Sequence, residues 1–172
     1  MGKRRKGRIL AFQAMYAWDT ANNKEQALKD LLNFSWVENK PPVNSGRAAE
    51  GGQVTEDAGN DDSIDLVVDF PRLLVAGTIE NIKAVDAMIR RHLVNWDFSR
   101  LSGVDRALLR LSVHELLSQT APPTVVIDEA VDIAKEYGTD DSYRFINGVL
   151  DGIKKAIQSE KMPSPGSFTG EI

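Results

Sequence analysis

Apolar residues recur at helical spacing along most of this chain. Ala11, Ala14, Met15 and Trp18 fall at i, i+3, i+4 and i+7, which predicts a first helix over Arg4–Asp19. Leu28, Leu31, Leu32 and Val37 predict a second over Lys24–Val37. A long third helix is predicted over Pro71–Leu93, with Asp69 and Pro71 suited to its start because proline is tolerated in a first turn. Val104–Ser118 reads as a fourth. Leu108, Leu109, Leu111, Val113, Leu116 and Leu117 surround it almost fully, the mark of a central, buried helix. Pro122 and Pro123 open a fifth over Thr124–Tyr137, whose apolar face is Ile127, Ala130, Val131 and Ala134. Val125–Ile127 is β-branched, but the period that follows is helical. Gly138 is expected to end this helix with a positive φ. Thr139 is expected to cap a sixth helix, with Asp140 and Asp141 in its first turn and a core stripe of Ile146, Val149, Leu150, Ile153 and Ile157. No stretch alternates as a strand would, so the predicted class is all-α, about six or seven helices.

The pattern fails in two places. From Asn39 to Ser63 there is no aromatic residue and no Leu, and Pro41, Pro42, Gly46, Gly51, Gly52 and Gly59 punctuate it. Such a stretch buries too little apolar area to offset its ordering entropy. The run from Lys161, with Pro163, Pro165, Gly166 and Gly170, reads as a tail. The expected organisation is an N-terminal helical subdomain at 1–37, a long acidic flexible loop at 38–65, a C-terminal helical subdomain at 66–160 and a disordered tail at 161–172. No internal repeat is found.

Length and composition narrow the function. The 172 residues carry 42% hydrophobic and 27% charged side chains and no cysteine. The chain can therefore bury a core without staples, and thiolate metal sites, disulfides and a cysteine nucleophile are excluded. No apolar run reaches the roughly 18 residues of a membrane span. Gln13 and Asp19 interrupt what would otherwise resemble a signal peptide, so the expected address is cytoplasmic, with no membrane partner.

The net charge of −4 hides an asymmetry. Lys3, Arg4, Arg5, Lys6 and Arg8 give the first ten residues a local +5. Glu38–Asp65 carries seven acids against two bases, a local −5. A basic arm is a nucleic-acid footprint, although a lone basic run is more often a solvated terminus. The opposed charges also suggest that the acidic segment competes with RNA for the arm.

No catalytic constellation emerges. His92 and His114 lack partners at ligand spacing, Gly51-Gly52 has neither the strand nor the lysine of a phosphate loop, and Asp128, Glu129 and Asp132 oppose the apolar stripe of their helix. The expectation is no catalytic residue, no metal and no cofactor. A binding surface has better support. Arg5, Arg8, Phe12 and Tyr16 form a stripe offset from the first helix's core stripe, placing guanidinium groups above two rings. That chemistry suits single-stranded RNA, phosphate meeting arginine and unpaired bases stacking on aromatics. Periodicity favours the core for Phe12 and leaves Tyr16 open between core and surface. Asp141 and Phe145 form a second off-stripe set, beside Ser142, and Phe145 is equally open between a base contact and a widened core.

These motifs resemble the transcription antitermination factor NusB family. Arg4-Arg5-Lys6-Gly7-Arg8 followed by Ala11-Phe12-Gln13-Ala14-Met15-Tyr16-Ala17-Trp18-Asp19 is similar to the family's opening. Val104-Asp105-Arg106-Ala107-Leu108-Leu109-Arg110-Leu111, Pro123-Thr124-Val125-Val126-Ile127-Asp128-Glu129-Ala130, and Asp141-Ser142 with Phe145 and Asn147-Gly148-Val149-Leu150-Asp151 are similar to its later helices. The ordered combination is specific where no single piece would be.

The resemblance implies two packed helical subdomains and binding in place of catalysis. Its implied partners are ribosomal protein NusE, boxA-containing RNA and the RNA polymerase antitermination complex, in support of ribosomal RNA synthesis; family members differ in whether they form homodimers. It assigns RNA contacts to Arg4, Arg5, Lys6, Arg8, Tyr16, Asp141, Ser142 and Phe145, and partner contacts to Asp105 and Asp141. Gly7 stands where a helix former is usual, at a propensity cost of about 1 kcal/mol, which suggests an arm ordered only on binding. The alternatives are a protein-binding helical scaffold and a stand-alone relative of the NusB-like domain of rRNA methyltransferases. The absence of a Gly-rich cofactor loop and of cysteine argues against a complete enzyme of the latter kind.

Overall fold

The structure is a computed structural model that describes residues 2–33 and 62–161, with side chains described over 2–33 and 69–160. Seven α-helices make up the described residues: α1 (Lys3–Thr20), α2 (Lys24–Leu32), α3 (Asp62–Glu80), α4 (Ile82–His92), α5 (Gly103–Ser118), α6 (Pro123–Tyr137) and α7 (Ser142–Lys161). A single 3₁₀ turn, Phe98–Arg100, lies between α4 and α5. No strand occurs among the described residues. Most of the acidic loop, the tail from residue 162 and Val37 fall outside them.

The sequence explains why α5 is central. Ser102 Oγ accepts from the Asp105 N–H at 3.0 Å and caps its start, and Gln119 ends it in the left-handed region at φ 54°. Between these caps Ala107, Leu108, Leu109, Leu111, Val113 and Leu116 are buried on all sides. The helix packs against α1, α3, α4, α6 and α7. Full burial of each large aliphatic contributes about 1.5–3 kcal/mol. Met15 of α1, Ile89 of α4, Ile133 of α6 and Ile146, Leu150 and Ile153 of α7 complete the core. The peripheral helix α2, capped by Asn23, has no fully buried residue.

A charged knot ties the end of α1 to α4 and α5. Arg110 donates to both oxygens of Asp86 at 2.8 Å and to Asp19 at 2.8 Å, and Arg106 also pairs with Asp19. Burial opposes ionisation of Asp19, but the guanidiniums of Arg110 and Arg106 outweigh it and hold the carboxyl below its ordinary range. Phe98 lies beneath Arg90, at 4.3 Å to the ring centre.

Four local expectations are corrected. The predicted Pro71–Leu93 helix is two helices with Asn81 between them. Asn81 takes a non-helical conformation while its side-chain amide donates to the Gly77 carbonyl at 2.8 Å, a competition invisible to hydrophobic period. Pro71 is interior to α3, and α3 begins at Asp62, within the stretch read as loop. Gly138 has φ −92°, not a positive value. It is glycine because an added Cβ would stand 2.6 Å from the Ala134 carbonyl and 2.6 Å from Ser142 Cβ. Nor does Thr139 cap the last helix: α7 starts at Ser142, whose Oγ accepts from the Thr139 N–H at 3.0 Å, and Asp140 and Asp141 precede it.

Gly7 is a further correction. It is buried inside α1, which is helical from Lys3. An added Cβ would stand 2.7 Å from Phe70 Cδ1 and 3.3 Å from Pro71 Cδ. The glycine lets α1 and α3 cross closely and does not mark a fraying arm.

Candidate nucleic-acid interface

The arm is the N-terminal half of α1, and the fold sorts its cations. Arg4 and Lys6 are exposed. Arg5 is partly covered at the contact with α6, where its Nη1 donates to Asp132 Oδ2 at 3.0 Å. That hydrogen bond holds the Asp132 carboxyl below its ordinary range, with Lys135 as a smaller cause in the same direction. Arg8 points inward. Its Nε and Nη2 donate to the two oxygens of Glu115 at 2.9 and 2.8 Å, both side chains are buried, and the guanidinium lies 5.5 Å from the Phe70 ring centre. The expectation that Arg8 offers its charge to phosphate is therefore corrected: helix α5 already supplies the anion.

The stripe from Arg5 through Tyr16 splits in the same way. Phe12 is core, 4% exposed and 5.3 Å from the Tyr137 ring. Tyr16 is on the surface at 42% exposure. It covers Gly103 at the start of α5, where an added Cβ would stand 2.7 Å from Tyr16 Cε2. From Arg5 to Tyr16 α1 advances about 16 Å.

Beside Tyr16, the loop before α5 and the start of α7 enclose a cavity of about 250 Å³. Asp105, Asp141, Ser142 and Phe145 all line it, so the structure brings Asp105 together with the set at 141–145. Their surroundings differ. Asp141 is exposed, with Arg144 at 3.8 Å. Ser142 is buried and its hydroxyl bonds Thr139, so it organises the turn instead of facing solvent. Asp105 Oδ1 is buried without a hydrogen-bond partner, a costly state that a donor from a bound molecule would relieve. Phe145 is partly buried and faces Trp96, ring centres 5.9 Å apart.

Trp96 and Arg100 line the same cavity and were not among the expected site residues. Trp96 is 57% exposed, in a loop turned by Asn95 at φ 60°. A tryptophan set among polar residues between two helices was the available signal. Trp96 and Phe145 thus share the cavity, and Tyr16 stands against Gly103, next to the cavity-lining Ser102.

Among the described residues, no group of histidines and acids could hold a metal ion. The burial that lowers the basicity of His114 places it against Gly77 of α3, away from the cavity.

Known proteins resemble this chain in sequence and in fold. The NusB family model matches residues 5–155. The transcription antitermination protein NusB of Treponema denticola is 48% identical over 152 residues, covering 88% of this chain and 95% of the relative. That of Bacillus licheniformis is 48% identical over 136 residues, covering 78% and 95%. Among solved structures, NusB of T. maritima superposes with a TM-score of 0.63 at 34% identity, covering 88% of this chain and 90% of the other. A structure of antitermination factors NusB and NusE in complex with double-stranded RNA superposes at 0.64 with 26% identity, covering 91% and 98%. With the family model matching most of the chain and a relative 48% identical over 88% of it, the chain belongs to the NusB family.

Proposed function

We propose that the protein is a transcription antitermination adaptor that pairs with the ribosomal protein NusE, binds boxA-containing RNA and so joins the antitermination complex on RNA polymerase. It acts by binding, not by catalysis. The observation that carries this reading is the pair of exposed aromatics Tyr16 and Trp96, with the partly buried Phe145 against Trp96, on a molecule whose helix α1 also carries the exposed cations Arg4 and Lys6. Cations meet phosphates, and aromatic faces stack unpaired bases at about 1–3 kcal/mol each. Family resemblance and the NusB–NusE–RNA structural relative support the same partners.

Within this reading Arg4, Lys6 and Arg5 contact phosphate, and Tyr16 and Phe145 contact bases. Asp141 stands at the rim, and Asp105 offers its unpaired oxygen to a donor on the partner. Ser142 and Arg8 shape the site from beneath. A cytoplasmic place of action follows; no helix among the described residues is long and apolar enough to cross a membrane.

The test is co-purification with NusE, followed by titration of boxA RNA with and without it. The expected result is a stable pair that binds RNA more tightly than the protein alone. Replacing Arg4 and Lys6 with glutamine should flatten the salt dependence by about 1.4 log units per log unit of salt. NusE binding without any RNA binding would reduce the protein to a scaffold.

A further inference from the structure

Two of the arm's cations, Arg5 and Arg8, are answered by acids of the same molecule. Glu115 encloses Arg8. Around Arg5 stands a row on α6: Glu129, Asp132 and Glu136, at i, i+3 and i+7, on one helix face. Arg5 reaches Asp132 at 3.0 Å and Glu136 at 4.0 Å. Glu129 adds its field to Arg5, and its Oε2 is buried without a hydrogen-bond partner. Among the described residues, Lys135, at 3.4 Å from Asp132, is the other cation paired with this row.

The two ion pairs differ in one decisive respect. The Arg8 pair is buried and closed. The Arg5 pair is open to solvent, with Arg5 at 26%, Asp132 at 45% and Glu136 at 48% exposure. An exposed pair of this kind is weak and screened by salt, so an anion arriving from outside can exchange with the carboxylate. A phosphate offers Arg5 the same oxygen geometry that Asp132 offers.

We propose that Glu129, Asp132 and Glu136 are specificity-determining residues for RNA, which stand in for phosphate at Arg5 and withhold it from strands that are not seated on the aromatic surface. This inference rests on the RNA-binding reading above. Phosphate contacts carry no sequence information, so an arm with every cation free would favour any polyanion. With Arg5 occupied, a loosely held strand meets mainly Arg4 and Lys6. A strand seated on Tyr16 and its neighbours presents a phosphate to Arg5 in fixed register and displaces the carboxylate.

The test compares Asp132→Asn, Glu136→Gln and the double variant with the unmodified protein. The probes are an oligouridylate and a boxA-containing RNA of equal length, each titrated across salt concentrations. At low salt the oligouridylate should bind about two- to fivefold more tightly, with a salt slope steeper by about 0.7. The boxA strand should gain less, so the ratio between the two falls. Both acids are half-exposed, and an unchanged thermal transition confirms that the fold is intact. In an Arg5→Gln background the acid variants should have no effect. Unchanged or weaker oligouridylate binding would overturn the inference, as would an equal gain in the Arg5→Gln background, which would mark a general charge effect. If Arg5→Gln and the Arg4 and Lys6 variants all leave boxA binding intact, the RNA reading of the arm fails, and this inference with it.

Discussion

The pairing of Arg8 with Glu115 makes a prediction that separates a structural arginine from an RNA-binding one. Both side chains are under 10% exposed and joined by two hydrogen bonds of 2.9 and 2.8 Å. Glu115→Gln keeps the shape but strands a buried guanidinium. Breaking one half of such a pair costs about 3–5 kcal/mol, a large share of the roughly 5–15 kcal/mol available to a domain. In a chain of this size that loss lowers Tm by roughly 6–20 °C. The double variant Arg8→Met with Glu115→Leu removes both charges and should recover most of the loss, because replacing a buried pair by apolar groups is often neutral or stabilising. Urea titration gives the energies; a shifted midpoint with an unchanged slope identifies a loss of stability alone. RNA titration of the double variant then decides the role of Arg8. Affinity and salt slope should match the unmodified protein. A cost below about 1 kcal/mol for Glu115→Gln would refute the burial argument, and a weakened, flatter RNA isotherm for the double variant would return Arg8 to the interface.

Two further outcomes follow from close contacts. Gly7→Ala should destabilise the protein despite alanine's better helix propensity, since its methyl meets Phe70 Cδ1 at 2.7 Å; overpacking of this kind costs about 1–3 kcal/mol, and a rise in Tm would show that the crossing relaxes freely. His114 is held neutral chiefly by burial, against the opposing pull of Glu115 and Glu80. Because its folded pKa is lowered, its stabilising contribution is present above the ordinary value of about 6.5 and is lost as pH falls through the folded value. His114→Gln should flatten the stability profile below pH ~6.5, and an unaltered profile would exclude this histidine as its source.

Hydrophobic period located most of the helices because α1, α3, α4, α6 and α7 each pack against α5. It was blind to features set by polar competition. Asn81 breaks a helix through its own side chain while the apolar stripe continues past it. Arg8 and Phe12 turn inward because the apolar face of α1 is wider than its most regular stripe. One clue to Arg8 was present: Glu115 lies in a helix with apolar residues on every side, and a carboxylate there needs a cationic partner. Of the site, the resemblance located Asp105, Asp141, Ser142 and Phe145, but not that they share one cavity. Trp96 and Arg100 escaped because the loop carrying them has no period to read. Most of the acidic segment suggested as a competitor for the arm lies outside the described residues; the acids seen facing the arm belong to α5 and α6.

Helix α1 carries both Arg5 and Tyr16 on one continuous span, anchored at Gly7 by α3 and at Asp19 by Arg106 and Arg110. A rod clamped near both ends behaves as a ruler. The separation of about 16 Å between Arg5, the proposed phosphate contact, and Tyr16, the proposed base contact, cannot stretch or shorten to suit a ligand. If RNA spans the two, any adjustment must come from the strand, and its flexibility becomes part of what is recognised. An insertion or deletion within α1 would rotate one contact around the helix relative to the other, and every side chain could survive such a change while the measure between them is lost.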